Sequence, residues 1–248
     1  MMRIGHKGAA ALAPENTLRS IERALEVGVD MVEVDVVSLA DGTLVLAHSD
    51  DLVEVSHGAA RGRITGESLA ELREVAPDLP TLDEALALIA AHDAAVQLDV
   101  KRPGYERDLV EAVRSHGLVE QALVSSCFPE TLRLVGQLEP GLRRGLTYPF
   151  DRLGVSSRRI LRPAVWAGLG ALRATLPRRI GRLLSRADAS VATLNHAVIS
   201  AAVVRSCHAR GAQVLAWTVD DPELVARLAA LGVDGIISND PRIVPATF

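Results

Sequence analysis

Eight short runs of mostly β-branched and aliphatic residues, nearly all separated by helix-like stretches, constrain this chain more than anything else in it. The runs fall at 3–6, 30–36, 95–101, 122–126, 142–147, 189–194, 213–218 and 234–238. Helical patterns fill 17–27, 81–92, 104–117, 129–138, 197–210 and 221–231, and several close on a glycine (Gly28, Gly117, Gly211, Gly232). Parallel strands need such crossovers. Eight of them in 248 residues predict one closed (β/α)8 barrel, a TIM barrel, spanning 1–248, with an open doubly wound sheet as the alternative.

One stretch breaks the alternation. No helix fits between Val37 and Thr43, and Asp41-Gly42 is a turn signal. Residues 37–48 therefore predict an antiparallel hairpin above the second strand, followed by a small insertion to residue 80. A turn centred on Asp41-Gly42 places Asp35 opposite His48. A second insertion, 149–188, lies between the fifth and sixth predicted strands. Its apolar residues follow helical spacing, and Pro163 and Pro177 are expected to split it into short helices.

In a barrel of this kind the chemistry sits at the C-terminal ends of the strands. Strand 1 ends in Gly5-His6-Lys7-Gly8, strand 2 in Glu33-Val34-Asp35, strand 3 in Asp99-Val100-Lys101, and the hairpin returns to His48. Alternation puts Glu33 and Asp35 on one face, and Asp99 and Lys101 on one face of the next strand. Three converging carboxylates repel unless a cation joins them, and an all-oxygen set suits one divalent cation, Mg²⁺ or Ca²⁺. Lys7 and Lys101 are the only lysines among 27 basic residues. With the cation they make a pocket for an anion, most plainly a phosphate. His6 and His48 supply a general base and a general acid.

Other chemistries find no support. There is no nucleophile elbow, no GxGxxG and no P-loop. Cys127 and Cys207 are the only cysteines, which excludes a disulfide scaffold. The net charge of −4 gives no reason to expect nucleic acid. No apolar run is long enough for a membrane-spanning helix, and a strand begins too early for a signal peptide, so a cytoplasmic location is expected.

The ordered set GHKGAAALAPENT, VEVDV, DGTLVLAHSDDL and LDVK, with the closing AWTVDDPE and GVDGIISNDP, resembles the glycerophosphodiester phosphodiesterase family. The resemblance covers nearly the whole chain except about 150–188. It implies a metal-dependent barrel that cleaves glycerophosphodiesters to glycerol 3-phosphate and an alcohol. It makes His6 and His48 the acid/base pair, Glu33, Asp35 and Asp99 the metal ligands, and Lys101 a phosphate contact, with Lys7 where the family carries arginine. Ser49 stands where an aspartate is usual, and Asp99 is one methylene shorter than the usual glutamate. Alternatives to this activity are a lysophospholipase D-like hydrolase and a catalytically silent barrel that binds phosphorylated ligands.

Secondary candidates surround this set. Glu15 and Asn16 are either rim contacts or a helix cap; Phe128 and Trp217, at two strand tops, are candidates to line the pocket. Asn195 and Asn239, at strand tops, are candidates to hydrogen-bond substrate but read more readily as turn residues, and His57, His92, His116 and His208 read as structural or exposed. Residues 151–186 hold nine arginines and one acid, against 18 basic and 30 acidic residues elsewhere. That segment is either a longer crossover with its arginines solvated or paired to the acidic remainder, or a lid over the pocket, or a basic amphipathic surface that meets anionic lipid.

Overall fold

The computed structural model describes residues 1–92, 94–150 and 162–246. Eight parallel strands close on themselves: β1 (Met2–Gly5), β2 (Met31–Ser38), β4 (Ala95–Val100), β5 (Ala122–Ser126), β6 (Arg143–Tyr148), β7 (Val191–Asn195), β8 (Gln213–Trp217) and β9 (Gly235–Ser238). Pairing runs in sequence order around the ring, and β1 joins both β9 and β2. This is the expected (β/α)8 barrel, and the open sheet is excluded.

Helices α1 (Leu18–Val27), α4 (Leu82–Ala90), α5 (Glu106–Ser115), α6 (Pro129–Leu138), α7 (Arg162–Ala187), α8 (Ala201–His208) and α9 (Pro222–Ala230) form the outer layer. Their starts are chemically marked. Thr17 caps α1 and Thr81 caps α4, each in a reciprocal capping box. Asp221 caps α9 ahead of Pro222. Outward-facing Val32, Val34, Val36, Val96 and Leu98 pack against helices.

The barrel interior is layered. Ile4, Met31, Leu123, Val191, Leu215 and Ile237 form an apolar cluster toward the N-terminal end. Above it the inward positions turn polar: Glu33 lies beside Gln97, Asp35 beside Asp99, and Thr147 beside Thr193. Adjacent parallel strands are about 4.8 Å apart, so register alone brings these side chains together at the C-terminal mouth.

The hairpin is present, formed by β2 and the antiparallel β3 (Leu44–Leu46). Its register differs from the expected one by a single residue. Val36 pairs with Leu46, and the Ala47 amide bonds the Asp35 carbonyl, so Ala47 rather than His48 faces Asp35. The cause is the turn. The Leu39 amide donates to the Thr43 carbonyl, enclosing three residues, with Gly42 at φ 86°. Three-residue loops use a left-handed glycine at this place, whereas the two-residue turn assumed from Asp41-Gly42 shifts every partner by one.

Beyond the hairpin, α2 (Leu52–Val55) and α3 (Leu69–Val75) enclose a small separate core of Val37, Leu39, Val45, Ala47, Leu52, Ile64, Leu72, Ala76 and Leu79. The second insertion differs from expectation. Its described part, from residue 162 on, is one 26-residue helix, α7, that runs through Pro177. Pro163 lies at the edge of the described residues. Pro177 is tolerated because Leu176, Ile180, Leu184 and Ala187 are buried against the main core and hold the helix in place. Arg152, Arg158 and Arg159 lie outside the described residues. No helix among those described is long and apolar enough to cross a membrane.

Candidate active site

At the C-terminal mouth lies a cavity of about 180 Å³. All seven primary candidates line it: His6, Lys7, Glu33, Asp35, His48, Asp99 and Lys101. Gln97, Thr147, Thr193, Trp217, Thr218 and Ile237 complete the wall.

The first loop sets three of these groups. The His6 amide extends the barrel ladder to the Ser238 carbonyl, at 2.9 Å. Lys7 adopts a left-handed φ of 51°, which turns its amide onto Glu33 Oε2 at 2.8 Å. A residue with a Cβ rarely adopts this conformation. Here Ser20 Oγ, donating to the Lys7 carbonyl at 2.8 Å, helps fix it. Gly8, at φ 83°, lies so close to Ser20 that a Cβ would overlap it. The Lys7 ammonium reaches Glu15 at 3.0 Å and Asp35 at 3.9 Å.

Asp35 is the centre of the charge cluster and is almost wholly enclosed. Asn16, at φ 55°, clamps it from behind: its Nδ2 donates to Asp35 Oδ2 at 3.0 Å and its Oδ1 accepts from the Asp35 amide at 3.1 Å. Asn16 is thus not the cap of α1, and Glu15 acts on the cavity through Lys7. Lys101 Nζ bridges Asp35 Oδ1 and Asp99 Oδ2, at 2.6 Å each. Asp99 Oδ1 accepts from Ser125 Oγ at 2.6 Å and Thr147 Oγ1 at 3.0 Å.

The electrostatics follow from this crowding. Burial, reinforced by Asp35 next to it, raises the Glu33 carboxyl well above its ordinary value. Burial also works against charge on Asp35, but Lys101, His48 and Lys7 outweigh it and hold the carboxyl low. Burial works against charge on Lys101 too, yet Asp35 and Asp99 keep its ammonium well above the usual value. The His6 imidazole is lowered by burial, with Asp35 and Asn239 opposing.

The two histidines are held differently. His6 Nδ1 meets Asn239 Oδ1 at 2.7 Å, and its Nε2 lies 3.9 Å from Glu33 Oε2. His48 is half exposed on the loop after β3, where its amide donates to Glu54 Oε1 at 2.8 Å and its Nδ1 lies 3.8 Å from Oε2. Burial of Glu54 is outweighed by its bonds from His48 and Ser49, and its carboxyl falls to about 2.

The residues fit a hard divalent cation. Three carboxylate side chains meet here, Glu33 is destabilised as an anion, and buried Asp35 Oδ1 has no well-directed hydrogen bond. Among the described residues the carboxylates do not already stand in ligand geometry; Lys101 spans two of them instead.

Of the secondary candidates, Trp217 lines the cavity and bonds the Thr193 carbonyl through Nε1 at 3.0 Å. Phe128 does not. It lies in a neighbouring groove, edge-on to Phe150 with ring centroids 5.1 Å apart. His116 pairs with Asp83 and His208 with Asp234, away from the mouth. Sequence reasoning missed Gln97, Ser125, Thr147 and Thr193. Strand alternation marks them as inward, yet nothing about a lone hydroxyl or amide separates a pocket wall from barrel packing.

A barrel whose mouth gathers two imidazoles, two ammonium groups and three carboxylates around one cavity is that of a phosphodiester hydrolase. The model of the glycerophosphoryl diester phosphodiesterase family matches residues 6–243, and the chain belongs to that family. It is 28% identical to a glycerophosphodiester phosphodiesterase of Caldanaerobacter subterraneus over 96% of this chain and 94% of that protein. A glycerophosphodiester phosphodiesterase of Arabidopsis thaliana is 29% identical over 96% of this chain and 70% of its own. Among solved structures, an Oleispira antarctica phosphodiesterase in complex with the product sn-glycerol-3-phosphate superposes with a TM-score of 0.76 at 25% identity, covering 96% of this chain and 93% of that one. An Agrobacterium tumefaciens glycerophosphodiester phosphodiesterase shares the fold, with a TM-score of 0.75 at 22% identity over 98% of each chain.

Proposed function

We propose that this enzyme hydrolyses glycerophosphodiesters to glycerol 3-phosphate and an alcohol, using His6 and His48 as its acid/base pair and one divalent cation, Mg²⁺ or Ca²⁺, held by Glu33, Asp35 and Asp99. The observation that carries this reading is the convergence of all seven groups on one cavity. When bound, the cation supplies charge neutralisation to the phosphodiester oxygens. Lys7 and Lys101 add positive charge from the two flanks, so the extra negative charge of the pentacoordinate transition state meets preplaced cations. His6, buried and tied through Nδ1, takes the proton of the attacking hydroxyl on Nε2. His48, at the open rim, gives a proton to the departing alkoxide as the ester P–O bond breaks. Trp217 and the threonine hydroxyls form the wall against which the glycerol portion rests.

Release of glycerol 3-phosphate from glycerophosphocholine tests this directly. Activity is expected with Mg²⁺ or Ca²⁺, abolished by EDTA and restored by the ion. Turnover indifferent to EDTA overturns the cation, and no turnover of any glycerophosphodiester overturns the substrate class.

A second substrate, lysophospholipid, is favoured by the groove beside the mouth. Thr147 lines both spaces, and the groove adds Phe128, Leu146, Leu172 and Leu183 under Arg179 and Arg186. Arg178, Arg179, Arg182 and Arg186 are exposed on one arc of α7, with no ion pair among the described residues. This face suits an anionic membrane surface. Co-sedimentation with anionic but not neutral vesicles, lost on Arg178→Ala/Arg182→Ala, tests the contact.

A further inference from the structure

Behind His6, on the side away from the cavity, stands a short chain of polar groups. His6 Nδ1 lies 2.7 Å from Asn239 Oδ1, and Asn239 Nδ2 donates to Asp220 Oδ2 at 2.6 Å. The other Asp220 oxygen accepts the Asn239 amide at 2.8 Å and Ser238 Oγ at 3.1 Å. Neither Asn239 nor Asp220 lines the cavity.

The chain has a direction. A carboxylate only accepts, so the Asn239 group facing Asp220 must be its NH₂, and the group facing His6 must be its carbonyl oxygen. That oxygen in turn only accepts, so His6 Nδ1 carries a hydrogen. In the neutral ring the remaining nitrogen, Nε2, is then bare, and Nε2 is the nitrogen turned to the cavity and Glu33. We infer that Asp220, acting through Asn239, selects the His6 tautomer in which the cavity-facing nitrogen is free to accept a proton. Both are positioning residues for the reaction, and the inference rests on the reading of His6 as the base.

The consequence of an isosteric change is sharp. In Asp220→Asn the new amide oxygen still accepts from the Asn239 and Ser238 donors, but its NH₂ faces the Asn239 NH₂. Two donors cannot share a hydrogen bond, so the Asn239 amide turns over and offers NH₂ to His6 Nδ1. The hydrogen on the ring then moves to Nε2, and the base is blocked. Asp220 is exposed, so the substitution leaves the fold intact. A carboxylate-to-amide change that leaves a histidine in the wrong tautomer costs about 10⁴-fold in the Ser-His-Asp triad.

The experiment measures Asp220→Asn in two ways. In ¹⁵N-histidine-labelled full-length enzyme at about pH 8, where an ordinary imidazole is neutral, the ring shifts of His6, assigned by their loss in His6→Gln, report which nitrogen is protonated. The wild type is expected as Nδ1–H and the variant as Nε2–H. Steady-state kinetics on glycerophosphocholine with Mg²⁺ is expected to show kcat down by about 10²-fold or more and KM within about twofold. An unchanged tautomer in the variant, or an inverted tautomer with unchanged kcat, overturns the inference.

A second pair covers the other link. Asn239→Asp keeps an acceptor toward Nδ1 and, sharing one proton with Asp220, keeps a donor toward it; Asn239→Leu keeps neither. The aspartate variant is expected to retain at least about ten times the kcat of the leucine variant, and equal losses in the two overturn the relay. Because the tautomer is read without turnover, a failure of His6 as base, seen as full activity in His6→Ala, is separable from a failure of the relay.

Discussion

Two long connections leave the mouth of this barrel and do different things. The one after β2 folds into a hairpin and two short helices around its own apolar core, and it returns His48 to the cavity. The one after β6 ends in the long helix α7, whose inner face joins the main core and which places no described side chain in the cavity. The first connection is a small folded unit that delivers a functional group; the described part of the second is scaffold with a basic outer face. What lets the first connection deliver its group is not length or charge but the hairpin that steers the chain back across the strand ends.

His48→Ala puts the contrast most severely. It is expected to lower kcat by about 10²-fold or more while the melting temperature holds. Arg178→Ala/Arg182→Ala on α7 is expected to stay within about twofold on a water-soluble glycerophosphodiester, and comparable losses in the two proteins erase the distinction.

Next in size is Ile64→Ala. Ile64 is fully enclosed in the small core, and its truncation is expected to cost about 2–3 kcal/mol in urea unfolding. The loosened loop lowers turnover with it; destabilisation at full activity means that His48 does not depend on that core.

Pro177→Ala tests the scaffold in the opposite direction. Restoring an N–H inside α7 is expected to raise stability by about 2 kcal/mol with turnover unchanged. A neutral or negative effect means that the helix is shaped around the proline rather than held in spite of it.

The smallest effect belongs to Glu54, beneath His48. Its carboxyl sits at about 2 when folded, below the ordinary 4.5, so it stabilises the folded state above that ordinary value and the stabilisation is lost as pH falls toward 2. Glu54→Gln is expected to cost about 1 kcal/mol at pH 7. The gap from wild type narrows from about pH 4.5 down to about pH 2, and a gap independent of pH removes the charge from the explanation.

The barrel and the ring of charged groups were legible because both follow from strict rules. Strand alternation fixes which residues face inward, and barrel topology fixes which end carries chemistry. That sufficed for Glu33, Asp35, Asp99 and Lys101. The hairpin register was not legible, since Asp41-Gly42 serves a two-residue and a three-residue turn alike, and the choice depends on which carbonyl Leu39 finds. Pro177 misled because local propensity says break, while buried Leu176 and Ile180 say continue. Asn16 read equally as a cap, and only the fold shows it turned onto Asp35. Asp220 and Asn239 stand in segments that carry the resemblance, yet their link to His6 needs the first and last barrel strands side by side, which only closure of the ring provides.

The apolar cluster of Ile4, Met31, Leu123, Val191, Leu215 and Ile237 corks the far end of the barrel. Nothing passes through, so arrival and departure use one doorway. Each turnover must empty before the next molecule enters, and a product left behind stands in the way of its successor.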